Sequence, residues 1–520
     1  MMTRIETFVP IVLSAVVLLC AHSCTADVPA ATAAVVVEYE PTEFVPLTLR
    51  PHGKQGFNLL PPGELERTPR DYVKVSATVK ATGDCSVELA LVDILNREHR
   101  SSVVKPTAGQ ETDISVQIQQ LDRPIAMLRT VRLYAEGELV EVLGLKFYCA
   151  VEKLPEPDVT VAGPPDDTSI QAALNFLGEA GGVVYIPAGT YLINDQVTVP
   201  CDNVTIYGDG DATIIKATWY QAKPMFVLSE KKDVRITRLL FRGWPETGFR
   251  GYSEAQHAEK PEDAGRTDNV MTRAIDLVNC ENIRVDHCVL ELFGHAGLIV
   301  RGKKAVCVDH CFFQKNFRYG YGYGVVPCAT KECYIEDNNF ENHRHGVAGG
   351  RNTMASYICR FNRFVKDTKA VPETGWKQVT SHEIDVHSGC GWLYAHDNYV
   401  EMKNGMMSSG ACLRGNQGWV YRNLFVNCNS GIYVCGDSGD VWTWDNEFSN
   451  CPNEQVNKAT GTVTFDTKPD NFAEIAYPYA LNRMGWWPGA EAGSAQIVKS
   501  EIPFPGPEQA QVLRLVGAEE

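Results

Sequence analysis

The chain has 520 residues, a formal net charge of −16 and a pI near 5.3. Acidity of that size argues against nucleic acid as a partner, because phosphate binding needs a basic face. It leaves room for an anionic polysaccharide held in a local basic cleft.

The first 26 residues carry Arg4, an apolar run from Phe8 to Cys20 and small residues up to Ala26. That pattern predicts a signal peptide, too short to span a bilayer. The mature chain is therefore expected outside the cytoplasm, secreted or periplasmic, with a lipid anchor on Cys24 as the less favoured alternative. No later stretch has the uninterrupted apolar length of a transmembrane helix, and a monomer is expected. Of the 17 cysteines, Cys85 and Cys149 are the two in the N-terminal region and could form a disulfide there. Most of the others fall within repeats, where they read as small buried core residues.

Residues 27–153 alternate in short strands, among them YVKVSATVKA, SVELALVDI and VRLYAEG, separated by polar or Gly-containing turns. Regular strand spacing without helices predicts a small antiparallel β-sandwich. Its order resembles the jelly-roll carbohydrate-binding modules attached to secreted glycan-degrading enzymes. Residues 154–158, LPEPD, are a proline-rich linker.

From Ile283 to Asn450 one phrase recurs: VDHCVL, VDHCFF, IEDNNF, CRFNRF, AHDNYV, VYRNLF, TWDNEF. Its key position holds Cys288, Cys311, Asn338, Asn362, Asn398, Asn423 and Asn446, at intervals of 23, 27, 24, 36, 25 and 23 residues. Two places later stand Leu290, Phe313, Phe340, Phe364, Val400, Phe425 and Phe448. Repeats at this period, built of β-branched and aromatic runs without helical periodicity, predict a solenoid whose stacked coils share one core. A short helix should close its first coil, with Thr168 or Ser169 as N-cap and Ile170, Ala173, Leu174, Phe176 and Leu177 on its apolar positions.

The run from Asp166 to Gly210, with its D-D-T, I-Q-x-A and G-G-x-V-Y-I-P-x-G-x-Y elements, resembles the opening of the pectate-lyase-like right-handed parallel β-helix proteins. The resemblance implies an all-β fold, a right-handed parallel β-helix over 159–457 with an N-terminal helical cap. It also implies that the recurrent asparagines stack as a structural ladder. The superfamily includes polysaccharide lyases, glycoside hydrolases, epimerases and phage tail spikes, so it leaves the reaction open. Residues 458–520 leave the repeat and are expected to pack along the solenoid, with Trp486 and Trp487 as anchors.

Counting seven places beyond the repeat position aligns His295, Arg318 and His345. After an insertion between Lys366 and Ser381 the count resumes at His382. On the strand HEIDVH, period-two alternation sends Ile384 and Val386 inward and Glu383, Asp385 and His387 outward. The preceding coil offers Gly346, Ala348 and Gly350 as small outward neighbours, which would leave a depression. The coil before that offers Tyr319, Tyr321 and Tyr323 as a stacking platform for sugar rings, or, with a one-residue slip, as an aromatic core stack. Two insertions, from Pro245 to Thr272 with Arg250, Tyr252 and His257, and the one carrying Trp376 and Lys377, would wall the groove.

Two mechanisms fit these residues. In uronate elimination, Arg344, Arg351, Lys377 and the histidines His345, His382 and His387 divide the roles of charge neutralisation and proton abstraction. In glycoside hydrolysis, Glu383 and Asp385 supply the acid and base. A divalent cation such as calcium, or a transition metal, could sit on Glu383, Asp385 and His387, with His343 or His345 nearby. The expected function is therefore an exported enzyme acting on a polysaccharide, elimination placed ahead of hydrolysis because of the His, Arg and Lys enrichment. The rival from another class is a non-catalytic glycan-binding or adhesive solenoid.

Overall fold

The computed structural model describes residues 34–39, 45–60, 72–118, 125, 127–152, 154–218, 223–243, 272–301, 304–316, 321–330, 332–350, 355–367, 381–404, 408–470 and 472–474. The expected signal peptide with Cys20 and Cys24, the residues Arg250, Tyr252, His257, Trp376 and Lys377 expected to wall a groove, and the site candidates Arg318, Tyr319 and Arg351 lie outside the described residues, as do Trp486 and Trp487.

Two antiparallel sheets form the N-terminal unit. One orders Ala34–Tyr39, Val140–Glu152, Tyr72–Ala81 and Glu111–Gln117, with Leu47–Leu49 also on the long strand; the other orders Gln55–Asn58, Leu128–Gly137, Cys85–Asp93 and Glu98–Arg100. Alternation drives Val75, Ala77 and Val79 of one sheet and Val87, Leu89 and Leu91 of the other into a common core. Cys85 is a free thiol, which corrects the expected disulfide. Cys85 pairs with Gly137 in one sheet, whereas Cys149 pairs with Val37 and Tyr72 in the other.

The solenoid opens on the helix Asp167–Phe176. Its N-cap is Asp166, one carboxylate oxygen accepting from the backbone N–H of Thr168 and Ser169 at 3.0 and 3.3 Å, rather than Thr168 or Ser169 themselves. Ile170, Ala173 and Leu174 close the core, but Phe176 is 79% exposed. Around and beyond the helix the described residues form a parallel β-solenoid with a twenty-stranded sheet, whose first strand, Val159–Thr160, precedes the helix, and a ten-stranded sheet. Among the described residues no helix is long and apolar enough to cross a membrane.

The repeated phrase marks a corner. Each repeat residue follows one in the left-handed region: His287, His310, Asp337, Phe361, Asp397, Arg422 and Asp445, with φ between 51° and 58°. Inside the corner the amides chain from coil to coil, Asn338 to Asn362, Asn362 to Asn398, Asn398 to Asn423 and Asn423 to Asn446, at 2.9–3.1 Å. The remaining N–H of each amide goes to a backbone carbonyl, as with Asn362 and Ile335. These buried polar groups are therefore satisfied within the stack.

Below the corner the phenylalanines stack, Phe313 on Phe340 and Phe340 on Phe364 at 4.8 and 4.6 Å. Each ring needs the facing position of the ten-stranded sheet to be glycine: a Cβ on Gly297, Gly324, Gly346, Gly410 or Gly431 would meet a ring carbon at 2.2–2.9 Å. Gly346 thus points inward, not outward as the alternation suggested. The coil between has Val400 where its neighbours have phenylalanine and Glu383 where they have glycine. The smaller side chain on one strand is matched by the larger one on the other.

Candidate functional site

The outer face of the ten-stranded sheet carries the charged cluster. Strand pairing aligns Ala296, Tyr323 and His345, with His382 next by continuation, so Tyr323 rather than Arg318 precedes His345 in the column. His295 lies one residue earlier on its coil and meets Tyr321 edge-on at 5.2 Å. The count from the repeat positions fails because the segment before Tyr323 is longer by four residues than its predecessor before Ala296. Tyr323 stacks on His345 at 5.3 Å, and His345 on His382 at 4.5 Å. Tyr321 and Tyr323 therefore belong to the outer face, Tyr321 at 38% exposure, and not to the core.

Asp385 is the hub. Its oxygens accept from Arg414 Nη2 at 2.7 and 2.5 Å, and they lie 3.4 Å from His382 Nε2, 3.0 Å from His387 Nε2 and 3.7 Å from His345 Nε2. Burial alone would raise its carboxyl, yet the surrounding histidines hold it well below the usual range. The same burial pulls the histidines down: His345 lies well below the ordinary imidazole value, and His382 and His387 are lowered too, with Asp385 opposing the shift.

Backbone carbonyls set the tautomers, since a carbonyl can only accept. His345 Nδ1 donates to the carbonyl of His382 at 2.7 Å, and His387 Nδ1 to that of Gly349 at 2.5 Å. Arg344 Nη1 reaches both His345 Nε2 at 2.8 Å and the Tyr323 hydroxyl at 3.0 Å. Asp385 and His345 form a buried floor. The side chains of His382, His387 and Arg414 rise to 15%, 17% and 26% exposure.

Two predicted site residues are elsewhere. Glu383 turns into the solenoid, filling the glycine position described above. There it accepts from the Gly346 N–H at 2.8 Å and pairs with Lys366 at 3.1 Å, both charges fully buried. Burial pushes its carboxyl up while Lys366 draws it down. Ile384 and Val386 do face inward, so the alternation held from Ile384 onward and failed one residue earlier. His343 is also buried, its Nδ1 accepting the Asn316 N–H at 3.2 Å and its ring edge-on to Phe340; burial depresses it to about 3. Neither can touch a substrate on the outer face, which removes the Glu383/Asp385 acid–base pair and Glu383 as a metal ligand.

Sequence reading passed over Arg414 and Lys366. Arg414 could have been found by carrying the column one coil further, since Val386 pairs with Leu413 and the next residue on each strand follows suit. Lys366 had a signal as well, a second cation beside Phe364 and Val365 on the otherwise buried strand Arg363–Asp367. Its Nζ donates to the carbonyls of Arg344 and Ser381 at 3.2 and 2.7 Å, the residues just before the two stacked histidines.

As a cation site, the outer cluster offers His345, Asp385 and His387, with ligand atoms all within 4.8 Å of one another. Two imidazoles and one carboxylate do not fit calcium, which takes six to eight oxygens.

Residues 163–370 match the family model described as Rhamnogalacturonase A/epimerase, pectate lyase-like, so the resemblance read from the cap holds over that segment. Similar solved structures include ORF18 of Geobacillus virus E2, at 16% identity over 57% of this chain and TM-score 0.36; the chain spans 58% of that protein's length. An alginate lyase from Paenibacillus sp. str. FPU-7 is 12% identical over 58% of this chain and 98% of its own, with TM-score 0.40. The catalytic unit of a thermostable α-1,3-glucanase from Streptomyces thermodiastaticus strain HF3-3 is 11% identical over 83% of this chain and 95% of its own, with TM-score 0.30. Polysaccharide lyases and glycoside hydrolases thus both occur among these neighbours. No curated protein matches the sequence.

Proposed function

We propose that this protein is an exported polysaccharide-cleaving enzyme that breaks the glycosidic bond of a uronate by β-elimination. The observation that carries the reading is the make-up of the outer cluster: one carboxylate, three histidines that burial draws below the ordinary imidazole value, and two guanidiniums. Elimination needs a cation to stabilise the charge that develops on the uronate carboxylate, and a base that is unprotonated at neutral pH. Arg414 and Arg344 supply the first. His382, partly open and stacked against His345, supplies the second. Hydrolysis needs two carboxylates flanking the bond, and Glu383 is committed to Lys366 inside the core. Tyr321 and Tyr323 extend the face as a surface for sugar rings. The apolar N-terminal run supports export.

A panel of uronate-containing and neutral glycans tests the reading, scored by ultraviolet absorbance of the unsaturated product and by new reducing ends. Both signals together are expected on a uronate glycan. Reducing ends without absorbance would replace elimination by hydrolysis, and neither signal across the panel would leave a glycan-binding solenoid. His382→Ala is expected to lower kcat at least a hundredfold, in line with the loss of a general base, with the far-ultraviolet spectrum unchanged.

A further inference from the structure

His345, His387 and Asp385 meet on the outer face with their lone pairs facing one another. Because both Nδ1–H groups are spent on backbone carbonyls, of His382 and Gly349, each ring turns its Nε2 lone pair toward Asp385 Oδ2, at 3.7 and 3.0 Å. An imidazole lone pair and a carboxylate oxygen are both acceptors, and two acceptors at 3.0 Å repel unless positive charge lies between them. Arg344 answers the lone pair of His345, and Arg414 answers the carboxylate. Among the described residues no donor answers Nε2 of His387.

The surroundings have the form of a ligand site. Backbone carbonyls on the far nitrogens are the usual means of fixing metal-binding histidines, since they set both tautomer and ring orientation. Arg414 reaches both Asp385 oxygens through one nitrogen, and a carboxylate has about four lone-pair sites. His382 and Cys412 stand around the same carboxylate as a second trio, again with ligand atoms within 4.8 Å. His345, Asp385 and His387 come from two successive coils, and Cys412 from the next, and their parallel pairing fixes the spacing.

We propose that His345 Nε2, His387 Nε2 and Asp385 bind a divalent first-row transition metal, zinc in its chemistry rather than calcium. Imidazole suits zinc and its neighbours, whereas calcium and magnesium select oxygen. Binding requires Arg344 to release His345 and the ligand atoms to close to about 2.0–2.2 Å from the ion. The existence of the site rests on this geometry alone. Its role, as a Lewis acid for the uronate carboxylate, rests on the elimination reading above.

The test uses the full chain without an affinity tag, stripped with chelator and titrated with Zn²⁺ or Ca²⁺ by calorimetry and thermal unfolding. One Zn²⁺ per chain and a higher Tm are expected, with Ca²⁺ without effect, and Co²⁺ should give visible d–d absorption. His387→Gln and Asp385→Asn should each abolish the uptake, while His99→Gln, in the N-terminal unit, should leave it intact. Should Asp385→Asn fail to fold, His387→Gln and the wild-type Co²⁺ spectrum still decide. Absence of uptake by the wild type overturns the proposal, as does uptake retained in His387→Gln. An imidazolium signal for His387 at neutral pH in metal-free nitrogen NMR, without uptake, would mean that a proton fills the place. Metal uptake with no unsaturated product on any uronate glycan would sink the elimination reading and leave the site standing.

Discussion

Lys366 is worth more to this protein than a surface lysine, because its partner cannot reach water. Replacing it by methionine strands the Glu383 carboxylate beside the Gly346 N–H in the interior of the coil. Removing one member of a buried pair costs about 3–5 kcal/mol, so Lys366→Met should lower the urea midpoint substantially. Lys366→Met combined with Glu383→Gln, which removes the charge as well, should recover much of the loss; an equal deficit in both variants would show that packing rather than charge is at stake. His343 predicts a second effect. Its folded value of about 3 lies below the ordinary 6.5, so the unfolded chain binds more protons between those values and stability falls as pH drops through that window. His343→Leu should flatten the acid side of the urea midpoint plotted against pH.

At the scale of the element, the asparagine stack is the unit of strength. Asn362→Ala would leave the Asn338 N–H and the Ile335 carbonyl unpaired in the corner, at about 1–3 kcal/mol for each buried group left unsatisfied. Chemical denaturation should register that loss, and an unchanged midpoint would mean that the stack contributes no stability. The same stack explains what the sequence revealed. Asn338, Asn362, Asn398, Asn423 and Asn446 recur because every coil must satisfy its corner in the same way, and a requirement repeated on each coil is visible as periodicity. Asp385 and His387 were legible by alternation. Glu383 was not, since alternation assumes a regular strand, and here two successive positions, Glu383 and Ile384, both face the interior. The exchange of phenylalanine for Val400 one strand away was the visible sign. The column through His345 was misaligned because the corner fixes the register of the twenty-stranded sheet only, and segments of unequal length intervene before the other.

For the molecule as a whole, the sandwich and solenoid are joined rather than tethered. Ile94, Leu95 and Met127 pack on Phe361, Val365, Tyr399 and Leu424 of the solenoid flank. Arg97 holds Asp93 in its own unit at 2.8 Å and Asp397 across the junction at 2.5 Å. Asp397 also carries Arg422 and His396, which keep its carboxyl far below the ordinary range against the effect of burial. An apolar and charge-paired contact should couple the two units, so scanning calorimetry is expected to show one transition. Leu95→Asp, which puts an unpaired carboxylate into that contact, should split it into two; a single unchanged transition would mean that the junction carries little of the coupling.

The buried Lys366–Glu383 pair has a consequence for how this chain can vary. The two residues stand on either side of positions 368–380, and Lys366 also grips the Ser381 carbonyl, so that stretch is fastened at both its entry and its exit. Added length between fastened ends costs little, roughly 0.6 kcal/mol for each doubling. The stretch can therefore be lengthened, shortened or exchanged for that of another protein while His345 and His382 stay in place.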